Sequence, residues 1–179
     1  MAAHTYNVTG IVLKRYNVGE HDRAITILTK EEGKSVYIAK GVRRLRSSSG
    51  GNLEPGSLVT AHCIHTKSLP LITQTKLHLQ ALEQTNSLSQ VRRIQQLLEI
   101  FDCLFVSEEL DDALFSQVTD LYSAVIQKQT ALTQLRAKIV ELVRSLGYDI
   151  VGDGEVSLSR QLTDIFERPL RSFEYLLVK

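Results

Sequence analysis

Residues 35–46 decide how the first part of this chain folds: Ser35-Val36-Tyr37-Ile38-Ala39-Lys40-Gly41-Val42-Arg43-Arg44-Leu45-Arg46. Apolar side chains alternate up to Ala39, which is typical of a strand with one buried face. The alternation stops at Lys40-Gly41, three arginines follow within four positions, and residues 47–52 form a Ser/Gly tract that is too polar to pack. The stretch therefore predicts a strand that leads into a mobile cationic loop beside a rigid sheet.

Guanidinium groups in such a loop match the geometry of phosphate oxygens, so the loop is interpreted as a nucleic-acid contact. The alternative is a solvated surface loop, which is the more common meaning of an isolated charge cluster.

Further strand patterns precede and follow this stretch. They cover residues 6–16, 23–29, 58–65 and 71–77. Gly10 is expected to permit a bulge in the first of them, and Gly33 to adopt a positive φ in a hairpin loop. Five short strands in about 75 residues, joined mostly by short turns, predict a small closed barrel, and the five-stranded barrel that most often binds nucleic acid is the OB-fold.

The hydrophobic period changes to three or four residues from position 86 onward. Helices are predicted over about 86–105, 112–128, 130–146, 159–166 and 170–178. Asp111 or Asp112 is expected to cap the second helix and Gly147 to end the third. The fold class is therefore predicted as α+β and multidomain, with an N-terminal five-stranded OB-fold β-barrel at residues 1–80 and an α-helical bundle at 81–179.

Charge is divided unevenly between these two parts. Residues 1–80 contain 11 Lys and Arg against 5 Asp and Glu, whereas residues 81–179 contain 10 against 15. The whole chain of 179 residues has a net charge of only +1, so the asymmetry is hidden in the total. A basic half indicates a polyanion-binding surface, and the acidic half a different task.

The sequence also argues against several classes of protein. No apolar run reaches the roughly 18 residues of a membrane span, and the N-terminus lacks signal-peptide regions, so a cytoplasmic protein is expected. The two cysteines, Cys63 and Cys103, form no CxxC pair and are interpreted as small buried hydrophobic residues, with no metal expected.

Tyr6, Tyr16 and Tyr37 could stack on bases, although the alternation favours core packing for Tyr6 and Tyr37.

Several runs, in order and spacing, resemble one family. They are Ile11-Val12-Leu13-Lys14 followed by Gly19-Glu20-His21-Asp22-Arg23; Leu28-Thr29 with Glu32-Gly33-Lys34; Ala39-Lys40-Gly41-Val42-Arg43-Arg44; and Leu53-Glu54-Pro55-Gly56-Ser57-Leu58-Val59. The chain is similar in these runs to the RecO family of bacterial recombination mediators. Leu146-Gly147-Tyr148 and 168–172 resemble later segments more weakly. The cysteines that many family members carry after Leu-Gly-Tyr are absent here, and the chain is short for the family.

The resemblance implies an OB-fold and a helical domain that bind single- and double-stranded DNA, anneal complementary strands and use no cofactor. It also implies that the protein acts with RecR and single-stranded-DNA-binding protein to load RecA, in the cytoplasm and at the nucleoid. Because no bond is made or broken in this role, the protein is not expected to be an enzyme. The residues expected to contact DNA are Lys40, Arg43, Arg44, Arg46, Arg15, Arg23 and Lys34. For Arg15 and Arg23, pairing with Glu20 or Asp22 is an equal alternative. A partner surface is placed at Arg168, Leu170 and Arg171.

Two other functions remain open on the sequence alone. The acidic, helical second half is compatible with a protein–protein adaptor whose barrel is only a platform. A nuclease would need clustered carboxylates or a nucleophile beside a base, and the acids of the basic half are few and lie at turns.

Overall fold

A computed structural model describes residues 4–44, 47, 49–81, 83–85, 87–127, 131–150 and 157–172. The chain divides into two compact units. The first comprises residues 1–83 with 105–110, and the second comprises residues 84–104 with 111–179. None of the helices in the described ranges is long and apolar enough to cross a membrane.

The first unit contains the five predicted strands. They are β1 (Thr5–Val18), β2 (Asp22–Thr29), β3 (Gly33–Ala39), β4 (Ser57–Ile64) and β5 (Leu71–Gln80). Antiparallel pairs join β1 to β2, β2 to β3, β1 to β4 and β4 to β5. A short parallel pairing of β3 with β5 closes the sheet into a barrel of order β1-β2-β3-β5-β4.

Alternating apolar residues fill the interior of this barrel. The core includes Val12, Ile25, Ile27, Tyr37, Ala39, Val59, Ala61 and Cys63. Tyr37 is fully buried, and its hydroxyl donates a 2.6 Å hydrogen bond to Glu32 Oε2. Burial, with this hydrogen bond adding to it, raises the pKa of Tyr37 far above its ordinary value, so the hydroxyl stays a donor. The expected core position of Tyr37 is confirmed.

The bulge in β1 lies at a different place from the one expected. The register against β2 shifts between Val12 and Lys14, not at Gly10. Gly10 is required for another reason: a Cβ there would lie 2.2 Å from the carbonyl oxygen of Leu28 on β2. The shift at 12–14 exchanges the inward and outward faces for the rest of β1.

Residues 105–110 return to the barrel and pack on the β2–β3 hairpin, and we call them the 105–110 segment. Lys34 N–H donates to Val106 O and Leu110 N–H to Lys30 O, both at 2.8 Å. Gly33 has φ +59, which confirms its expected positive φ, and a Cβ there would lie 2.1 Å from Glu108 O. The glycine therefore serves both the hairpin turn and the close approach of this segment.

Four helices lie in the described part of the second unit. They are α1 (Leu88–Leu104), α2 (Asp112–Ile126), α3 (Leu132–Ser145) and α4 (Leu158–Phe166). The expected cap is confirmed at Asp111, whose Oδ1 accepts a 2.7 Å hydrogen bond from Leu114 N–H. Gly147, with φ +86, follows the end of α3 as expected. The predicted helix at 170–178 falls mostly outside the described residues.

Candidate nucleic-acid interface

The chain turns sharply where β3 ends, at residues 40–44, which we call the cationic turn. Gly41 has φ +63, and its N–H donates a 2.7 Å hydrogen bond to Asp22 Oδ1. Arg43 N–H donates to His21 O and Arg44 N–H to Gly41 O, each at 3.0 Å. The bonds to Asp22 and His21 fix the backbone of the turn against the turn between β1 and β2, and the bond to Gly41 O closes the turn itself. The first residues of the expected mobile loop are therefore anchored.

Three of the predicted contacts lie on this turn with their side chains exposed: Lys40, Arg43 and Arg44. Arg43 Nη1 donates to Gly19 O at 3.2 Å, which holds its guanidinium over the β1–β2 turn. Within the described ranges, no carboxylate lies within ion-pair distance of these three side chains. The turn thus presents positive charge to solvent on a fixed backbone. Arg46, the fourth predicted contact, lies outside the described residues.

A cleft of about 350 Å³ opens beside the cationic turn. Lys40, Arg44, Ser47, Ser49 and Thr73 contribute polar groups to its wall. Ammonium, guanidinium and hydroxyl groups donate hydrogen bonds to phosphate oxygens, so the cleft is chemically suited to a stretch of sugar–phosphate backbone.

Arg15 and Arg23 are ion-paired, but not with the acids expected from the sequence. Arg15 Nη2 lies 2.9 Å from Glu54 Oε2, and Arg23 Nη1 lies 3.2 Å from Glu54 Oε1. Arg15 pairs with Ile25 across β1 and β2, and Arg23 pairs with Ala39 across β2 and β3. Because Ile25 and Ala39 point into the barrel core, both arginine side chains project toward the interior. Asp22 instead binds the cationic turn. A single carboxylate therefore holds two guanidinium groups, and their contact with DNA remains a prediction.

We expect Glu54→Gln to destabilise the barrel by about 1–3 kcal/mol, because Arg23, only 15% exposed, would lose its charged partner. Thermal unfolding followed by circular dichroism measures this. Glu20→Gln is the matched control, since the Glu20 side chain is 92% exposed and only approaches His21 at 3.8 Å. Equal melting temperatures for the two variants would contradict a structural role of the Glu54 pairs.

Lys34 is not brought to the cationic turn. It is the second residue of β3, whereas Lys40 follows the last, so at about 3.3 Å per residue they lie roughly 20 Å apart. Lys34 is half-buried, and its backbone lies under the 105–110 segment. The structure thus separates two cations that the charge pattern grouped together.

The three candidate tyrosines have different surroundings. Tyr37 is buried and Tyr6 is half-buried, its ring stacked on His65 at 4.2 Å. Tyr16 is 57% exposed, and Lys14 Nζ lies 5.8 Å from its ring centroid. Tyr16 lies three residues before Gly19, at the end of the barrel that carries the cationic turn. Sequence alternation gave no signal for this exposure.

The family profile described as "Recombination protein O N terminal" matches residues 1–81, which include the barrel, the cationic turn and Tyr16. Residues 1–81 are thus similar to the N-terminal part of RecO proteins. The expected resemblance is confirmed for this part of the chain.

Several similar proteins are named DNA repair protein RecO. The protein of Bifidobacterium adolescentis is 41% identical over 71 residues, which cover 40% of this chain and 29% of the relative. That of a Synechococcus species is 37% identical over 98 residues, covering 55% and 34%. That of Cutibacterium acnes is 33% identical over 72 residues, covering 40% and 29%. The chain thus aligns with about a third of the length of these RecO proteins.

The second unit, beyond the RecO profile, contains the three predicted partner residues. Leu170 is only 2% exposed, so it belongs to the core of this unit. The Arg168 guanidinium donates to Cys103 Sγ at 2.7 Å and lies 3.4 Å from Asp102 Oδ2. Arg171 is exposed, but its backbone N–H is bound by Glu99 Oε1 at 2.8 Å. These contacts hold the segment within the unit, so the partner surface remains a prediction there.

A groove that sequence reasoning missed lies elsewhere in the second unit. It has a volume of about 240 Å³ and is lined by α1, α3 and the first residue of α4. Its floor is apolar, with Leu97, Ile100 and Leu135, and Arg93 and Arg136 contribute to its wall. Leu132 at its edge is 61% exposed. An apolar groove with arginines on its wall suits a peptide that carries apolar and acidic groups.

The cysteines differ in burial. Cys63 lies in the barrel core, and burial, with a contribution from the Glu32 carboxylate, raises the pKa of its thiol to about 12. It is protonated at neutral pH, which fits its predicted core role. Cys103 is half-buried, and burial raises its pKa as well, against the opposing effect of Arg168. Among the described residues, no three His, Cys, Asp or Glu side chains converge as a metal site would require.

Proposed function

We propose that this chain is a DNA-binding recombination mediator that binds single- and double-stranded DNA and anneals complementary strands. The observation that carries the proposal is the exposed trio Lys40, Arg43 and Arg44 on an anchored turn beside a polar cleft, within the residues that match RecO. Relatives named DNA repair protein RecO support a role in recombinational repair. Under this proposal residues 1–80 are an OB-fold domain and 81–179 a helical domain, and the protein works at the nucleoid.

The physical basis of annealing is charge neutralisation. Two complementary strands repel each other through their phosphates, and each Lys or Arg that binds a phosphate releases condensed counterions. A surface that holds one strand by its backbone leaves the bases available for pairing. Binding through phosphates also predicts little sequence preference, because phosphate contacts position a strand and do not read it.

The test is annealing of two complementary oligonucleotides, one labelled with a fluorophore and the other with a quencher, with and without the protein. We expect faster annealing and a DNA affinity that falls linearly with the logarithm of salt concentration. The protein–protein adaptor predicts no salt-dependent DNA retention. Cleavage of the oligonucleotides in the presence of magnesium would instead indicate a nuclease.

The partner-binding part of the proposal rests on the groove of α1, α3 and α4. We infer that it receives the tail of single-stranded-DNA-binding protein, and that the helical domain meets RecR and so assists RecA loading. We place the groove ahead of the region of Arg168 as the candidate, because Leu132 at the edge of the groove is 61% exposed whereas Leu170 is buried.

Replacement of Leu132 by Glu is expected to weaken binding of the tail peptide by about tenfold or more, since it puts a carboxylate at the edge of an apolar groove. Isothermal titration with the synthetic peptide measures it. Leu88→Glu is the control, because Leu88 is equally exposed, at 65%, and does not line the groove. Equal affinities of the two variants would remove the groove from the proposal.

A further inference from the structure

The outer surface of β1 to β3 carries a partly exposed apolar row beside the cationic turn. Tyr16 pairs with Ala24, and Ala24 with Ile38, so the three side chains lie in one row across the strands. The neighbouring row, Arg15, Ile25 and Tyr37, points into the barrel, so the row of Tyr16 points outward. Val18 and Val36 on the same face are 44% and 38% exposed. Large apolar side chains exposed together on a sheet indicate a binding surface.

We propose that Tyr16 is a stacking platform for unpaired bases and makes this chain bind single strands more tightly than duplex DNA. The inference rests on the proposed function and adds a residue that distinguishes the two forms of DNA. An aromatic ring can stack on any base, and such stacking is independent of sequence. In a duplex the faces of the bases are already stacked on one another and unavailable to a side chain, so only a single strand gains the contact.

The position of the ring relative to the cations supports unpaired bases as the occupant. Arg43 Nη1 is bonded to Gly19 O, three residues from Tyr16, which is roughly 10 Å along the strand. A short stretch of single strand whose phosphates meet Arg43 can therefore lay a base on Tyr16. Lys14, with its ammonium 5.8 Å from the ring centroid, adds positive charge on the same face.

The first experiment compares three probes of equal length by fluorescence anisotropy: labelled oligo-dT, an abasic single strand and a mixed-sequence duplex. Tyr16→Ala is expected to weaken binding of oligo-dT by roughly 5- to 100-fold and to change binding of the abasic strand and the duplex by less than about twofold. Tyr16→Phe is expected to bind like the wild type, because it keeps the ring. Tyr148→Ala is the matched control, since Tyr148 is 41% exposed and belongs to the second unit.

A second experiment reports the contact directly. The chain contains no Trp, so Tyr16→Trp places a single tryptophan at the platform, and its emission can be excited selectively over that of the tyrosines. Oligo-dT is expected to quench its emission, while the abasic strand and the duplex leave it nearly unchanged. This readout does not depend on the size of the affinity change.

The outcomes separate the platform from the proposed function. If the wild type binds single strands and duplex but Tyr16→Ala weakens both equally or neither, the stacking proposal is overturned and DNA binding stands. If Tyr16→Trp is quenched equally by all three probes, base stacking is likewise overturned. If the wild type binds none of the probes, the proposed function fails and the platform with it.

Discussion

Replacing Lys40, Arg43 and Arg44 together by Ala is expected to weaken DNA binding by about 10²- to 10³-fold at low salt, on the order of 50 mM. Each lost phosphate contact also lowers the slope of log affinity against log salt, by about 0.7 for single strands and 0.9 for duplex. The slope should therefore fall by about 2–3 in total. Because phosphate contacts carry no sequence information, the loss should be the same for all sequences. Anisotropy titrations at several salt concentrations measure both quantities.

A control with the same change in net charge distinguishes local contact from general electrostatics. Lys67, Lys138 and Arg160 are exposed and lie away from the cationic turn in sequence. Their joint replacement by Ala is expected to leave the slope within about 0.5 of the wild type. If both triple variants reduce affinity and slope equally, the effect comes from net charge and the turn is not the contact.

Replacing Gly33 by Ala is expected to destabilise the first unit by about 3–5 kcal/mol. The positive φ alone costs about 1–2 kcal/mol for a residue with a Cβ. The Cβ would also lie 2.1 Å from Glu108 O and 2.5 Å from Val106 O, which are backbone atoms, so the 105–110 segment must move. That movement breaks two hydrogen bonds between the hairpin and the segment, from Lys34 N–H to Val106 O and from Leu110 N–H to Lys30 O. Each of these bonds contributes about 1 kcal/mol to stability.

Gly19→Ala supplies the matched control for this prediction. Gly19 has φ +58, nearly the same as Gly33, but nothing lies within 4 Å of a Cβ there. Gly19→Ala is expected to lower the free energy of unfolding by only about 1 kcal/mol. Hydrogen exchange of the Lys34 and Leu110 amides reports the segment itself, and protection should be lost only in Gly33→Ala. Similar melting temperatures and unchanged protection in both variants would mean that the segment does not depend on this glycine.

Features that depend on near neighbours in the chain could be predicted from the sequence. The five strands, the positions of the helices, the cap at Asp111 and the positive φ of Gly33 all follow from periodicity and from local backbone chemistry. The exposed charges at the end of β3 follow in the same way, because a strand pattern that stops at a glycine places the next cations in a turn.

Long-range pairing decided the rest of the candidate site. The acid that neutralises Arg15 and Arg23 is Glu54, 31 residues beyond Arg23. A charge pattern alone favours acids close in sequence, such as Glu20 and Asp22. The return of residues 105–110 to the β2–β3 hairpin likewise has no local signal, because only the folded sheet offers the edge to which they bond.

The sequence by itself determined that a basic, five-stranded half precedes an acidic, helical half, and that cations follow the third strand. Only the tertiary structure decided which of Tyr6, Tyr16 and Tyr37 faces solvent. Tyr6, Val8, Val12 and Tyr16 share one parity in β1, and simple alternation would put all of them in the core. The register shift between Val12 and Lys14 reverses the faces, because one extra residue turns every later side chain to the other side of a strand. Arg15 therefore points inward to Glu54, and Tyr16 points out beside the cationic turn.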